Sequence, residues 1–257
     1  MKKVKVLILR TAGTNCDYET QMAFELCGAF AERVHIDILI EKKNKIFKYD
    51  ILAFPGGFSY GDDIASGKIL SNEIKNKLGD IVKKFAMSGR PIIGICNGFQ
   101  VFVKMGLLPD PNVFEQVSSL YYNDSGRFEC RWVYVKIEKK TRSIWVKNLP
   151  EIISLPVAHG EGKFIPKNKN LLKVLSKNNQ IVLKYSSKDG NIPKYPLDPN
   201  GSSEQIAAIS NPEGNILGLM PHPERYIFAL QHPNREGFDS KYGWGKIIFQ
   251  NAVDFVK

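Results

Sequence analysis

The first hundred residues alternate between short, continuous apolar runs and longer segments with helical spacing, and this alternation constrains the fold most. Val4–Leu9, Ile51–Phe54 and Pro91–Ile95 are apolar runs of strand length. Asp17–Phe30 and Ile69–Met87 carry their apolar residues at helical intervals. Strands that are apolar along their whole length are buried on both faces, as in a parallel sheet covered by helices. The sequence therefore predicts an α/β fold with a mostly parallel central sheet flanked by helices.

The region from about residue 113 to 209 has a different pattern. Short β-branched stretches separated by turn-rich segments predict antiparallel additions to the sheet. No internal repeat or low-complexity linker interrupts the chain, so we expect a single domain over residues 1–257. The remaining predicted elements are strands at His35–Ile40, Trp132–Ile137, Ile181–Tyr185, Ile206–Ile209 and Ile216–Met220, helices at Gly98–Met105 and Gly243–Val256, and a long loop at Ser186–Ser203.

Composition excludes several classes of protein. No apolar run approaches the roughly 18–20 residues that a membrane span needs, so we expect no membrane association. The net charge is +10, but the basic residues are scattered and form no recognised nucleic-acid pattern, which favours an ordinary solvated surface. The four cysteines show no CxxC spacing, so neither a zinc site nor a disulfide framework is indicated, and a reducing, cytoplasmic location follows.

The sharpest local signal is Gly94-Ile95-Cys96-Asn97-Gly98, between a predicted buried strand and a predicted helix. A nucleophile on a tight strand-to-helix turn needs glycines at its flanks, because larger side chains would clash with neighbouring strands. The helix N-terminus that follows stabilises negative charge and supplies free backbone N–H groups. Cys96 is therefore a candidate nucleophile; the alternative is a buried structural cysteine between two incidental glycines.

A cysteine nucleophile needs a base, and His222 is the candidate. It lies in Met220-Pro-His-Pro-Glu-Arg225, directly after a predicted strand, where the two prolines exclude a regular helix. In an extended chain residues i and i+2 point to the same side, so Glu224 can reach and orient the imidazole. The alternative is a surface turn whose His and Glu face water.

A glycine-rich turn, Pro55-Gly56-Gly57, follows the strand Ile51–Phe54. Adjacent glycines let backbone N–H groups point into a site, and the strand-to-helix turn at Gly94–Gly98, the nucleophile elbow, supplies another at Asn97. Gly57 and Asn97 are therefore candidates for an oxyanion hole built from two sources. A flexible glycine turn without a catalytic role is the alternative.

Nucleotide-binding motifs are absent from the sequence. Thr11–Asn15 contains one glycine, so the dinucleotide fingerprint fails. Gly61–Lys68 resembles a phosphate-binding loop but is one residue too long, and Ile69 replaces the required Ser or Thr. We expect no cofactor and no metal bound by this chain, so any ATP that the reaction consumes is bound by another chain.

The elbow, the Pro-Gly-Gly turn and the His-Pro-Glu segment, in that order, resemble the class I glutamine amidotransferases. Longer stretches more closely resemble one family among them, the PurQ-type glutaminase subunits of phosphoribosylformylglycinamidine synthase in purine biosynthesis. These stretches are Phe54–Asp62, Gly94–Gln100, Pro156–Phe164 and Asn215–Arg225, and Gly13–Asp17 and Asn200–Ser202 also fit.

The resemblance implies a flavodoxin-like amidotransferase fold and a role for each matching residue. Cys96 attacks the glutamine amide, His222 shuttles the proton, and Glu224 holds the imidazole in the right tautomer. Gly56 and Gln100 line the substrate pocket, and His159 and Glu161 lie near the mouth of the site or a subunit contact. We expect the remaining cysteines and two of the histidines to be structural or surface residues: Cys16, Cys27, Cys130, His35 and His232.

The same resemblance implies partners. Ammonia must reach its acceptor along a closed path, so the family pairs the glutaminase with a synthetase subunit that uses ATP and Mg²⁺, and typically with a small bridging subunit. Alternatives are a glutaminase subunit serving another synthetase, a cysteine hydrolase of similar fold, and a binding module that has lost catalysis. The Phe58-Ser-Tyr-Gly-Asp62 and His159-Gly-Glu-Gly162 stretches disfavour the first, and Asn97 in place of a histidine disfavours the second.

Overall fold

The computed structural model describes residues 3–235, 239 and 241–257, and its elements follow the α/β pattern. The strands are β1 (Lys5–Arg10), β2 (Phe30–His35), β3 (Ile51–Phe54), β4 (Ile92–Ile95), β5 (Ser118–Tyr122), β6 (Glu129–Ile137), β7 (Ile152–His159), β8 (Glu161–Pro166), β9 (Ile181–Ser186), β10 (Ile206–Ser210) and β11 (Ile216–Leu219). The α-helices are α1 (Asp17–Leu26), α2 (Ile36–Glu41), α3 (Lys68–Met87), α4 (Asn97–Met105), α5 (Lys169–Lys177) and α6 (Trp244–Phe255).

Nine of the described strands form one central sheet in the order β2-β1-β3-β4-β11-β10-β9-β6-β7. The pairs from β2 to β11 are parallel, and the pairs from β11 to β7 are antiparallel. Strands β5 and β8 form a separate antiparallel ribbon. The predicted fold class, a mostly parallel sheet flanked by helices with antiparallel additions, is confirmed.

The predicted strand at His35–Ile40 is wrong: the strand is Phe30–His35, and Ile36–Glu41 forms a helix. Strand β2 lies at the edge of the sheet with β1 as its neighbour, so it carries polar residues that hide it from a search for continuous apolar runs. The apolar run that follows β2 in the sequence belongs to helix α2. This helix buries Ile36 and Leu39, which are three residues apart and so lie on one helical face.

Register places the functional segments at one edge of the sheet. Strands β3, β4 and β11 are adjacent and parallel, with Phe54 opposite Gly94 and Ile95 opposite Leu219. Their carboxyl ends therefore coincide, and the segments that follow each strand meet there. This edge is where α/β folds bind ligands.

The centre of the sheet is buried. Every residue of β3, β4 and β11 is buried, and α4 is buried along its whole length. Within the described ranges, no helix combines the length and the apolar character that a bilayer crossing requires.

Candidate active site

Cys96 lies on a strained turn between β4 and α4. Its backbone has φ 51° and ψ −103°, a region that costs a non-glycine residue about 1–3 kcal/mol and that marks functional turns. Its N–H donates to the carbonyl of Leu219 at 2.7 Å, which ties the turn to β11. A Cβ at Gly98 would lie 2.1 Å from the Phe54 carbonyl oxygen, so the glycine is required by the close approach of α4 to β3. The turn has the geometry predicted for a nucleophile elbow.

The imidazole of His222 is held by Glu224. Nδ1 of His222 lies 2.6 Å from Oε1 of Glu224, and both side chains are buried. The contact comes from a tight 3₁₀ turn at Pro223–Arg225 rather than from an extended chain, and the His222 N–H is anchored on the carbonyl of Pro156 at 2.8 Å. A carboxylate on Nδ1 fixes the tautomer and leaves Nε2 to exchange protons.

Charge around His222 favours the imidazolium. Burial lowers the pKa of His222, but the negative charge of Glu224 and the neighbouring sulfurs of Cys96 and Cys16 outweigh burial, and its pKa is raised well above the ordinary value. Nε2 is buried and makes no hydrogen bond with any residue in the described ranges. Cys96 and His222 lie at the same end of the sheet, and Glu224 stabilises the imidazolium that forms when Nε2 takes a proton from the thiol.

Two backbone turns carry the residues predicted for an oxyanion hole, Gly57 and Asn97. Gly57 has φ 146°, and a Cβ there would lie 2.6 Å from the backbone N of Asn15. Asn97 is the first residue of α4, so its N–H has no intrahelical acceptor. A Cβ on the neighbouring Gly56 would lie 2.7 Å from Cε1 of His222, so this glycine provides the space that the imidazole occupies.

Gln100 is buried and bonded to the protein at both ends of its amide. Nε2 donates to the carbonyl oxygen of Glu161 at 2.5 Å, and Oε1 accepts from Nδ2 of Asn97 at 3.0 Å. The side chain therefore joins the elbow to the start of β8. These two bonds hold the Gln100 side chain in place between α4 and β8.

His159 is buried at the end of β7. Its Nδ1 lies 3.0 Å from Oδ1 of Asn123, an oxygen that also accepts from the N–H of Gly162 at 3.1 Å. Burial, and next the charge of His222, lower the pKa of His159 to about 3, so the ring is neutral at physiological pH.

Glu161 belongs to a buried charge cluster that sequence reasoning missed. Its carboxylate accepts from the N–H of Ser66 at 3.2 Å and lies 3.5 Å from Nζ of Lys104. Burial lowers the pKa of Lys104, while Glu161 opposes that shift. The signal was a lysine inside the apolar helix 97–105, where a charge requires a buried partner.

Cys16 and Arg225 also lie at the site and were missed. Nη2 of Arg225 donates to Sγ of Cys16 at 3.0 Å, and Sγ lies within 4.8 Å of ring nitrogen and carboxylate oxygen atoms of His222 and Glu224. These three groups could in principle ligate a metal ion. However, the guanidinium would repel a cation, and Nδ1 of His222 is bonded to Glu224, so the group does not fit a metal site.

Comparison with known proteins decides the family. The model of the CobB/CobQ-like glutamine amidotransferase domain matches residues 3–256. The chain belongs to this family. The phosphoribosylformylglycinamidine synthase subunit PurQ of Dehalococcoides mccartyi is 47% identical over 261 residues, covering 100% of this chain and 99% of that protein. The PurQ subunit of Archaeoglobus fulgidus is 43% identical and covers 100% of this chain and 98% of its own length.

Two solved structures share the fold of this chain. The structure of PurLQS from Thermotoga maritima matches this amidotransferase chain with a TM-score of 0.76 at 30% identity, covering 100% of both chains. Another glutamine amidotransferase from Thermotoga maritima matches with a TM-score of 0.54 at 14% identity, covering 90% of this chain and 80% of its own, which shows the fold alone. The resemblance noted in the sequence is thereby confirmed for the family and for the fold.

Proposed function

We propose that this chain is the glutaminase subunit of phosphoribosylformylglycinamidine synthase. It hydrolyses glutamine to glutamate and ammonia, and the ammonia converts formylglycinamide ribonucleotide to formylglycinamidine ribonucleotide on a synthetase subunit. The observation that carries the proposal is the meeting of Cys96, His222 and Glu224 at one sheet edge, in a chain 47% identical to a PurQ subunit over its full length.

The first half-reaction follows from the positions of these groups. The imidazolium that the site favours forms when Nε2 of His222 takes the thiol proton of Cys96, and Sγ then attacks the amide carbon of the glutamine side chain. The tetrahedral oxyanion accepts hydrogen bonds from the N–H groups of Gly57 and Asn97. The imidazolium then donates its proton to the amide nitrogen, the C–N bond breaks, and ammonia leaves a γ-glutamyl thioester on Cys96.

The second half-reaction uses the same groups in reverse. His222, neutral again and oriented by Glu224, takes a proton from water, and the hydroxide adds to the thioester carbon. Collapse of the second tetrahedral intermediate breaks the C–S bond, and the imidazolium returns the proton to the Cys96 sulfur. Glutamate leaves, and the enzyme is regenerated without a cofactor of its own.

We further propose that this chain works in the cytoplasm with a synthetase subunit that uses ATP and Mg²⁺, and with a small bridging subunit. Ammonia released into water is protonated and loses its nucleophilicity, which requires direct transfer to the partner. The Thermotoga maritima structure of PurLQS, which matches this chain over its full length, supports the assembly.

A diazoketone analogue of glutamine tests the proposal. Mass spectrometry after treatment is expected to find one adduct on Cys96, because the analogue binds as glutamine and alkylates the nucleophile. Cys130 is an internal control, since its thiol is exposed and would report non-specific alkylation. Cys96→Ser should abolish the adduct. Failure to modify Cys96 in the wild-type chain, or labelling that favours Cys130, would overturn the assignment.

A further inference from the structure

Beside His222 and Glu224, a half-buried guanidinium is bonded to a sulfur, while a buried carboxylate oxygen has no hydrogen-bond partner among the described residues. Oε2 of Glu224 is buried and accepts no hydrogen bond from any residue that the structure describes. The guanidinium of Arg225, the next residue in the chain, instead donates to Sγ of Cys16. An unpaired buried carboxylate oxygen is costly, so an adjacent cation bonded elsewhere requires an explanation.

The backbone of Cys16 is anchored on both sides. Its N–H donates to the carbonyl oxygen of Gly56 at 3.1 Å. Its own carbonyl accepts from the hydroxyl of Thr20 at 2.6 Å and from the Thr20 N–H at 3.0 Å. The side chain is fully buried. The sulfur position is therefore set by the loop after β1 and by the first turn of α1.

The sulfur of Cys16 lies close to Arg225, His222 and Glu224 at once. Sγ lies 3.0 Å from Arg225 Nη2 and within 4.8 Å of atoms of His222 and Glu224. It also borders Gly56, since a Cβ there would lie 3.4 Å from Sγ and 2.7 Å from the imidazole. Burial raises the pKa of Cys16, so the sulfur is a neutral thiol that accepts from Arg225 without neutralising it.

We propose that Cys16 is a positioning residue of the site: its sulfur holds the Arg225 guanidinium away from Glu224, so that the Glu224 carboxylate stays paired with His222. A guanidinium bonded in two places to that carboxylate would compete with the imidazole for its charge. The inference rests on the proposed glutaminase function, because the consequence is measured in the turnover of glutamine.

Steady-state kinetics on single variants test this role. Cys16→Ala is expected to lower kcat for glutamine hydrolysis about tenfold, because Arg225 is freed to pair with Glu224. Cys16→Ser keeps an acceptor for the guanidinium and should retain more activity than the alanine variant. Cys27→Ala is the matched control, since Cys27 is also buried at an end of α1, where its thiol lies against the Lys246 carbonyl. Thermal unfolding of each variant separates misfolding from loss of turnover.

The double variant Cys16→Ala/Arg225→Gln is decisive. If the sulfur acts by holding the guanidinium, removing Cys16 changes kcat less than about twofold once Arg225 is absent. If Cys16 only fills space, its effect persists unchanged in the Arg225→Gln background. Independent, multiplicative effects would therefore overturn the inference.

A pH profile supplies a readout that simple packing would not move. The groups facing His222 are Glu224, Cys96 and Cys16, with Arg225 and His159 adjacent. Loss of Cys16 weakens the stabilisation of the imidazolium, so the alkaline limb of kcat/KM should move to lower pH and return in the double variant.

The outcomes separate the two proposals. If the wild-type chain neither releases glutamate from glutamine nor reacts at Cys96 with the diazoketone analogue, the glutaminase assignment itself is refuted. A wild-type chain that is active, with Cys16→Ala indistinguishable from Cys27→Ala in kcat and in pH profile, would refute the positioning role alone.

Discussion

At the scale of single residues, the site combines strain, burial and charge at three neighbouring turns. Cys96 occupies a left-handed conformation that an ordinary side chain avoids, and the hydrogen bond from its N–H to Leu219 is one of the contacts that hold it there. His222 and Glu224 are both buried and 2.6 Å apart. Each group is expensive to bury alone, so the pair is maintained as a unit.

Glu224→Gln tests the negative charge of Glu224 separately from the shape of its side chain. Glutamine keeps the volume and can still bond Nδ1 of His222, but it cannot stabilise the imidazolium. We expect kcat to fall by about 10²–10⁴ with a small change in KM. Glu213→Gln is the control, because that exposed carboxylate lies at the opposite end of β11. A Glu224→Gln enzyme with normal kcat would show that the charge of Glu224 is not needed for the function of His222.

The protonation of His159 predicts a pH dependence of stability. Burial holds its folded-state pKa near 3, below the ordinary value of 6.5. As the pH falls below 6.5, His159 becomes protonated in the unfolded chain but stays neutral in the folded chain. The free energy of unfolding therefore decreases from about pH 6.5 towards pH 3, by up to about 1.4 kcal/mol per pH unit. Urea unfolding at several pH values should show a shallower slope for His159→Gln. Parallel curves for the two proteins would contradict this.

At the scale of elements, the N-terminus of α4 packs closely against β3 and supports the turn that carries Cys96. The contact of Gly98 with the Phe54 carbonyl sets this approach, and Gln100 and Lys104 extend from the same helix to the segment around Glu161. A side chain at the contact would lift the helix from the sheet and displace the elbow with it.

Two glycine-to-alanine variants in helices test that packing argument. Gly98→Ala should destabilise the fold by more than about 2 kcal/mol and lower glutaminase activity, because the added carbon overlaps the Phe54 carbonyl. Gly79→Ala in α3 should stabilise the protein by about 0.5–1 kcal/mol, because the nearest atom to its new carbon is 3.6 Å away, an ordinary contact. Equal effects of the two substitutions would show that helix propensity alone decides the outcome.

At the scale of the whole molecule, the sheet has two functional halves. The parallel half, from β2 to β11, presents the candidate catalytic turns at the carboxyl ends of its strands. The antiparallel half delivers His159 through β7, which lies at the far edge of the sheet and folds back through β8. The candidate site is therefore assembled from both halves of the sheet.

Reconstitution tests the coupling that this architecture serves. Glutamate release by the chain alone is expected to be weak, and to rise severalfold when the synthetase subunit, formylglycinamide ribonucleotide and ATP are added. A complex containing Cys96→Ala should lose glutamine-dependent synthesis and keep synthesis from high concentrations of free ammonia. Full glutaminase activity of the isolated chain, unchanged by the partner, would contradict the coupling.

Local sequence was sufficient for the elements whose pattern is set by burial. Continuous apolar runs correctly predicted β1, β3, β4 and β11, because both faces of those strands are covered. It was also sufficient for the glycines of the elbow, since only a residue without a side chain fits where backbones touch. It failed at β2, where an edge position removes the apolar pattern that the prediction relied on.

Tertiary structure alone decided which distant groups meet. The adjacency of β4 and β11 brings Cys96 to His222, and no local pattern encodes which strands become neighbours. The same holds for the bond between Cys16 and Arg225 and for the pairing of Lys104 with Glu161. Such contacts depend on how separate segments share the space at the end of the sheet, and that is a property of the packed chain rather than of any stretch of it.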